Sequence, residues 1–250
     1  MTRRRLDQLL VERGLAETRE RAQGLIRAGE VRVDERLVDK PGTPIKESAV
    51  IRVLRDPCPY VSRGGLKLAG ALDHFGVDPT GRTALDVGAS TGGFTDCLLQ
   101  RGAARVIAID VGSNQLDWRI RSDPRVQVHE RLNFRLLPES PLHAAIAAAG
   151  ADLAVVDVSF ISLRLILPVL GTVLRRPADV IALVKPQFEV GHAEVGKGGI
   201  VRDPAARERA LAGIVALCGG HLGWPVAGTM ESPITGTKGN VEFLLHARPR

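Results

Sequence analysis

Four charged side chains interrupt or follow apolar runs in this 250-residue chain: Lys67 in S-R-G-G-L-K-L, Asp157 in V-V-D-V-S-F, Lys185 in L-V-K-P-Q-F-E and Glu242 in N-V-E-F. A bare charge beside buried apolar surface is costly unless paired, and two amines with two carboxylates can neutralise one another. One reading is a structural ion-pair network. The other is proton transfer. An amine whose pKa is lowered by burial and a nearby cation can take the proton of a weakly acidic hydroxyl. Carboxylates placed too close would keep that amine charged and idle. The spacing alone leaves both readings open.

A second group sits between an apolar run and a helical pattern: Asp86-Val87-Gly88-Ala89-Ser90-Thr91-Gly92-Gly93-Phe94. A glycine-rich turn between strand and helix lets a ligand approach the backbone closely. The dinucleotide fingerprint G-x-G-x-x-G would need glycine at position 90, which is serine. Asp110 ends the next apolar run, 24 residues after Asp86. A carboxylate there can take both ribose hydroxyls of a nucleoside, which suits a nicotinamide dinucleotide and S-adenosylmethionine equally.

The elements that must position these groups alternate from Thr83 onward. Strands are expected at 83–87, 105–110, 125–129, 152–157, 179–184, 225–231 and 240–247. Helices are expected near 65–76, 92–102, 114–122, 139–149, 161–174 and 203–221. The fold class is α/β: a Rossmann-like seven-stranded parallel sheet with helices on both faces, ligands lying at the carboxyl ends of the central strands. Gly191 to Gly199 holds four glycines and reads as a mobile, substrate-contacting loop above the crevice, with His192 solvated.

Ahead of this lies a small α+β unit. Leu6, Leu9 and Leu10 mark a helix stopped by Gly14, and Thr18 is placed to cap a second helix with Ala22, Leu25 and Ile26 on its apolar stripe. Gly29 ends it, Val31 and Val33 alternate, Asp34-Glu35 is a turn, and Val50, Ile51 and Val53 close a small sheet. Residues 1–56 hold 13 Lys/Arg against 10 Asp/Glu, while the remaining residues hold 21 against 18. The net excess of +6 is therefore roughly three times denser at the N-terminus, which favours a polyanionic partner. A solvated helix face would look the same. The string from Arg5 to Gly42, with R-L-D-x-x-L-V-x-R-G-L-A followed by T-R-x-x-A-x-x-L-I-x-x-G-x-V-x-V, resembles the αL-type RNA-binding domain of ribosomal protein S4. The resemblance implies RNA binding, with Arg4, Arg5, Arg19, Arg21, Arg27 and also Arg63 as contacts. Arg55 to Pro59, with two prolines, reads as a stiff linker. The expected division is 1–55 for this domain, 56–62 for the linker and 63–250 for the larger domain.

The glycine loop resembles the D-x-G-A-x-x-G-G-[FW] motif of heat-shock-type (FtsJ-like) RNA 2′-O-methyltransferases. Lys-Asp-Lys-Glu in this order matches that group's catalytic tetrad. The surrounding strings, D-V-S-F-I-S-L, V-K-P-Q-F-E-V and G-N-V-E-F-L-L among them, resemble the TlyA family over about residues 4–246. That family joins an S4-type domain to this fold and methylates cytidine ribose in ribosomal RNA. The resemblance implies S-adenosylmethionine as cofactor, held by Asp86, Gly88, Ala89, Ser90, Gly92, Gly93, Phe94, Asp110, Asn133 and Asp157. Phe94 would pack beside the methionine moiety, and Asn133, where many relatives carry Asp, would face the adenine edge, with Glu130 the alternative. The catalytic set would be Lys67, Asp157, Lys185 and Glu242, with Lys185 as base and Lys67 as the cation beside it.

The expected substrate is large-subunit ribosomal RNA, with small-subunit RNA a second target. The chain's end eight residues past Glu242 resembles the family's shorter form. Rival readings are weighed on residues. Amino-methylating enzymes carry an Asn/Asp-Pro-Pro-aromatic string where this chain has Asp157-Val158-Ser159-Phe160, and a cytosine C5 enzyme needs a cysteine at the crevice, whereas Cys97 and Cys218 fall in helices. Pro57-Cys58-Pro59 lies upstream of the whole core. A non-catalytic ribosome-binding factor would not need the intact tetrad. Relatives called haemolysins raise a membrane-active reading, yet no run approaches the roughly 18 apolar residues of a spanning helix, and Leu6 to Arg13 is not a secretory core. Three widely spaced cysteines suggest neither disulfides nor a metal site. A cytoplasmic monomer or weak oligomer, bound to ribosomal RNA or a ribosomal subunit with no membrane or metal, is expected.

Overall fold

Leu6, Leu9 and Leu10 bury one face of α1 (Leu6–Glu12), as their spacing predicts. The computed structural model describes residues 3–16, 18–27, 29–54, 58–236 and 238–250. The chain divides into two compact units, Met1–Pro59 and Tyr60–Arg250. The linker reading of Arg55 to Pro59 falls largely on residues 55–57, outside the described residues.

In the first unit α1 packs on α2 (Arg19–Arg27). Gly14 leaves α1 with φ +67, and the Thr18 hydroxyl accepts the Arg21 N–H at 3.2 Å, the cap expected at the start of α2. Two strands that the sequence leaves unassigned, β1 (Arg3–Arg5) and β4 (Pro44–Lys46), pair antiparallel. Three consecutive arginines show no alternation, so nothing local marks them as a strand. The other sheet runs β3-β2-β5, with β2 (Val31–Val33), β3 (Arg36–Leu37) and β5 (Ile51–Val53). Asp34 and Glu35 turn between β2 and β3 with φ of +47 and +66, the primed geometry that matches strand twist. Leu6, Leu10, Ala22, Ile26 and Val31 fill the core completely buried.

The second unit runs α3 (Gly64–Phe75), β6 (Thr83–Val87), α4 (Gly93–Gln100), β7 (Arg105–Ile109), α5 (Trp118–Arg121), β8 (Val126–His129), α6 (Leu142–Ala148), β9 (Leu153–Val156), α7 (Leu167–Leu170), β10 (Asp179–Val184), α8 (Pro186–Glu189), α9 (Pro204–Ala216), β11 (Val226–Glu231) and β12 (Phe243–Ala247). Among the described residues its seven strands lie in the order β11-β12-β10-β9-β6-β7-β8. Five are parallel, but β12 is antiparallel to both β10 and β11, so the sheet is mixed where alternation predicts parallel. The reason is the link. β11 and β12 are joined by residues 232–242, among whose described residues there is no helix, and a link this short closes an antiparallel pair. Separate apolar clusters cover the two faces, which is why β9 and most of β10 are buried on both sides and read as unbroken apolar runs. Two expected helices are shorter and begin as 3-10 turns, Phe134–Glu139 ahead of α6 and Leu163–Leu165 ahead of α7. Pro138 lies inside the first and Pro168 opens α7, where a missing N–H breaks the helical ladder.

Candidate active site

The turn after β6 is built on conformations that glycine tolerates. Gly88 has φ +90 and Gly92 φ +95, and Ser90 between them is held at φ +47. Asp110, one residue past β7, fixes this turn. Its Oδ2 accepts the Ser90 N–H and its Oδ1 the Gly112 N–H, each at 2.7 Å. A cleft of about 220 Å³ opens here, lined by Ala89, Ser90, Asp110, Gln115, Leu116 and Glu130 among others.

Asp86 lies wholly buried beneath the turn. Thr95 donates its hydroxyl to Oδ2 at 2.6 Å, while Oδ1 has no partner among the described residues. Burial pushes the carboxyl up to about 7, and the charges of Asp157 and Asp110 act in the same direction. A buried acceptor left open is costly unless something satisfies it. These residues fit S-adenosylmethionine: a carboxylate for the ribose diol, a tight backbone turn, and an acid below it whose ionised form a ligand cation would favour.

The other sequence-predicted contacts are placed less directly. Phe94 is buried, its ring packing beside Gly64 in the first turn of α3. Asn133 caps the 3-10 turn that follows it, its side-chain oxygen accepting the Arg135 N–H at 3.1 Å. Glu130 lines the cleft and accepts the Asn114 N–H at 2.9 Å while pairing with Arg121.

Strand register gathers the tetrad. Val184 pairs with Phe243, so Lys185 and Glu242 are one antiparallel step beyond the ladder. Val156 aligns with Ala182 on one side and Val87 on the other, so Asp157 and Gly88 follow at adjacent strand ends. Helix α3 carries Lys67 to the same edge. Lys67 Nζ stands 2.5 Å from Glu242 Oε2, and Lys185 Nζ 2.6 Å from Asp157 Oδ1. The four side chains are 11, 3, 10 and 22% exposed in the order Lys67, Glu242, Lys185, Asp157. Lys185 also donates to the Ser159 hydroxyl at 2.8 Å, and Gln187 Nε2 donates to Glu242 Oε1 at 3.5 Å. The Lys185–Asp157 contact lacks hydrogen-bond alignment, so Asp157 Oδ1 keeps acceptor capacity.

The sequence reading passed over an aromatic pair. Phe160 is 92% exposed with φ +63, an uncommon conformation for a bulky residue, and meets Phe188 with the two rings tilted at 51° and their centroids 5.2 Å apart. The signal was in the motifs: each phenylalanine stands three residues after a tetrad member, in D-V-S-F and K-P-Q-F. Ser159 and Gln187 stand in the same two strings, each two residues after a tetrad member.

Burial raises the Cys97 and Cys218 thiols to about 11, which suits neither for nucleophilic chemistry. The 191–199 segment contains a short 3-10 turn, His192–Glu194, with His192 exposed. Asn240 ties the end of this segment down, donating to the Gly199 carbonyl at 2.8 Å and accepting the Val201 N–H at 3.0 Å.

In the first unit the predicted RNA contacts divide into two kinds. Arg5 grips the buried Asp7 through two bonds of 3.0 and 2.9 Å, and Arg19 reaches the same carboxylate at 3.0 Å. Both keep nearly half their side-chain surface exposed. Arg4 pairs with Glu12, and Arg27 donates to Gln23 at 3.3 Å. Arg21 is half-buried on α2. In the second unit Arg63 is exposed at the cap of α3.

Comparison with known proteins agrees with this anatomy. The FtsJ-like methyltransferase family model matches residues 60–249, and the S4 domain model matches residues 4–51. The 16S/23S rRNA (cytidine-2′-O)-methyltransferase TlyA of Mycobacterium tuberculosis is 48% identical, the match covering 98% of this chain and 90% of that protein. Hemolysin A of Brachyspira hyodysenteriae is 40% identical over 97% of this chain and 98% of its own length. A solved structure from Streptococcus thermophilus superposes with a TM-score of 0.76 at 43% identity, covering 99% of this chain and 89% of that one. With its glycine turn, its two lysine–carboxylate pairs and its S4 domain, the chain belongs to the TlyA family of FtsJ-like methyltransferases.

Proposed function

We propose that this chain transfers the methyl group of S-adenosylmethionine to the 2′-hydroxyl of a cytidine in ribosomal RNA. The observation that carries the reading is the meeting of two lysine–acid pairs at the sheet edge, with Asp157 directly beside Gly88 of the nucleoside turn. S-Adenosylmethionine, when bound, supplies a sulfonium methyl carbon open to in-line attack. Asp110 would take the ribose diol, Ser90 and Ala89 would wall the cleft, and the adenine edge would fall to Asn133, with Glu130 in the cleft lining as the alternative. Gly93 and Phe94 shape the start of α4 behind the turn.

The amine of Lys185 receives the proton that the ribose hydroxyl must lose. It has to be neutral when the hydroxyl arrives, so the Asp157 carboxylate, 2.6 Å away, has to draw back from it as the substrate docks. Ser159 keeps the nitrogen at the strand end. Lys67, held by Glu242, places a positive charge where the oxygen gains negative character. Phe160 offers its exposed face to the target base.

Arg4, Arg5, Arg19, Arg21 and Arg27 of the S4 domain, with Arg63, contact the RNA backbone in this reading. The division into 1–55, a linker at 56–62 and 63–250 belongs to the same proposal, as does action on cytoplasmic ribosomal subunits by a monomer or weak oligomer. Incubation with labelled donor and separate large and small ribosomal subunits, followed by mapping of 2′-O-methyl positions, tests it. Incorporation at a cytidine ribose of the large subunit is expected. No incorporation into any ribosomal RNA would overturn the reading. The name of the Brachyspira relative raises membrane lysis as a second reading; among the described residues no helix is long and apolar enough to cross a membrane.

A further inference from the structure

Glu189 lies in α8, four residues after Lys185, and is not in contact with the tetrad. Its carboxylate is mostly enclosed, yet both oxygens are used. The Ser162 hydroxyl donates to Oε2 at 2.6 Å, and the Leu163 N–H donates to Oε1 at 2.8 Å. These two donors belong to the segment after β9, which opens with Asp157 and continues through Ser159 and Phe160. Glu189 therefore bridges the two chain segments that carry the Lys185–Asp157 pair.

The bridge closes a loop that Val158 and Ile161 also fasten to the main core. Between β9 and the 3-10 turn at Leu163 the chain makes a six-residue excursion, residues 157–162, with Phe160 in a left-handed conformation. A strained backbone persists only where its surroundings over-determine it. Here the entry is fixed by β9 and by the Asp157 N–H bonded to the Val87 carbonyl at 2.9 Å. The exit is fixed by Glu189. Between them stand the two groups that touch the Lys185 amine, Asp157 at 2.6 Å and Ser159 at 2.8 Å, and the ring of Phe160 resting on Phe188. Both clamps on this segment, Phe188 and Glu189, come from the helix that Lys185 caps. Burial holds the Glu189 carboxyl above its ordinary range against its own hydrogen bonds, so a solvation cost is borne at this position for the sake of the contact.

We propose that Glu189 is a positioning residue for the methyl-transfer site: it sets the geometry of the 157–162 segment against Lys185, and so the orientation of Asp157, Ser159 and Phe160. The proposal rests on the methyltransferase reading above. A serine hydroxyl both donates and accepts, so a glutamine at 189 can keep both bonds, its oxygen on the Leu163 N–H and its amide on the Ser162 oxygen. Alanine keeps neither.

The test uses the full-length protein with ribosomal subunits and labelled donor. Glu189→Ala is expected to lower kcat/KM for RNA at least tenfold while donor affinity stays within about twofold. Glu189→Gln is expected to restore activity to within about threefold of wild type, and Ser162→Ala, which removes one bond, to fall between. Amide exchange of residues 157–163, read by mass spectrometry, should accelerate in Glu189→Ala and not in Glu189→Gln. This second readout is independent of catalysis and shows whether the alanine variant is folded elsewhere. Equal loss in the glutamine and alanine variants would overturn the proposal, since it would assign the effect to charge. So would unchanged activity or unchanged exchange in Glu189→Ala. If wild-type protein methylates no RNA while the exchange pattern holds, the functional reading fails and the bridge stands.

Discussion

Gly88 turns directly over the main chain of Asp157, so that a Cβ at residue 88 would stand 2.4 Å from the Asp157 carbonyl oxygen. The end of the donor turn and the start of the catalytic segment are thus in backbone contact, with no room for a side chain between them. At φ +90 an L-residue is also strained. Gly88→Ala is expected to weaken donor binding at least tenfold, corresponding to about 1.4 kcal/mol, and to lower stability by about 1–3 kcal/mol through the strained backbone. Calorimetric titration with S-adenosylmethionine or its demethylated product checks this, and an unaltered Kd would show that the turn can move aside.

Lys185→Ala removes the proposed base without touching the nucleoside cleft. Methyl transfer should fall at least about 100-fold, the ordinary worth of a positioned acid or base. Donor affinity should stay within a few-fold. Near wild-type turnover in this variant would rule out Lys185 as the proton acceptor. Lys67→Ala should also lose activity, leaving buried Glu242, among the described residues, with the long bond from Gln187.

Phe160→Ala tests the exposed ring. Base–aromatic stacking contributes about 1–3 kcal/mol per base, so KM for RNA should rise roughly 5- to 150-fold. Phe160→Tyr should keep most of the activity. A KM unchanged by the alanine substitution would detach Phe160 from the substrate.

Asp86 predicts a pH dependence of stability. Its carboxyl titrates near 7 when folded and near 4 when exposed. Between those values the folded chain retains a proton that the unfolded chain releases, so stability falls as pH rises from about 4 to about 7 and levels off above. Asp86→Asn abolishes this term. Its melting temperature relative to wild type should be highest above pH 7 and converge toward pH 4, the difference amounting to a few kcal/mol. Bound donor should narrow the gap by stabilising the ionised acid. A relative melting temperature independent of pH would contradict the assignment.

Asp7 shows the opposite sign. Hydrogen bonds from Arg5 first, then Gln23 and Arg19, hold its carboxyl well below the usual carboxylate range despite burial. Its contribution is therefore complete above about pH 4 and lost as pH falls into the strongly acidic range. Asp7→Ala should destabilise the S4 domain by about 1–3 kcal/mol at neutral pH. It should also weaken RNA binding, because Arg5 and Arg19 lose the anchor that fixes their spacing. Thermal denaturation and salt-dependent RNA binding read the two effects separately, and unchanged RNA affinity would show that the arginines do not depend on this anchor.

Much of this site was legible along the chain. The glycine turn after an apolar run, Asp110 at the next run's end and the four charges at apolar boundaries are local patterns, since strand ends and turns dictate their own residue types. Composition and helix caps likewise marked the first unit, down to Thr18. The pairing was not legible. Lys67 finds Glu242 across 175 residues of sequence, and Lys185 takes Asp157 rather than Glu242, its cross-strand neighbour. Sheet register and the approach of α3 decide which amine meets which acid, and neither is a property of a short window. The antiparallel β12 that brings Glu242 to the edge follows from a short link whose consequence appears only when the strand inserts beside β10. Arg5 and Arg19 read as surface charge because an arginine string looks the same whether its guanidinium groups face water or a buried carboxylate. Phe160 carries no signal of exposure in the sequence, because an aromatic after an apolar strand is as ordinary inside a protein as on its surface. Sequence set the chemistry available at each position through residue type and local periodicity, and tertiary packing, which acts between residues far apart in the chain, chose the partners and the side of the surface on which each group stands.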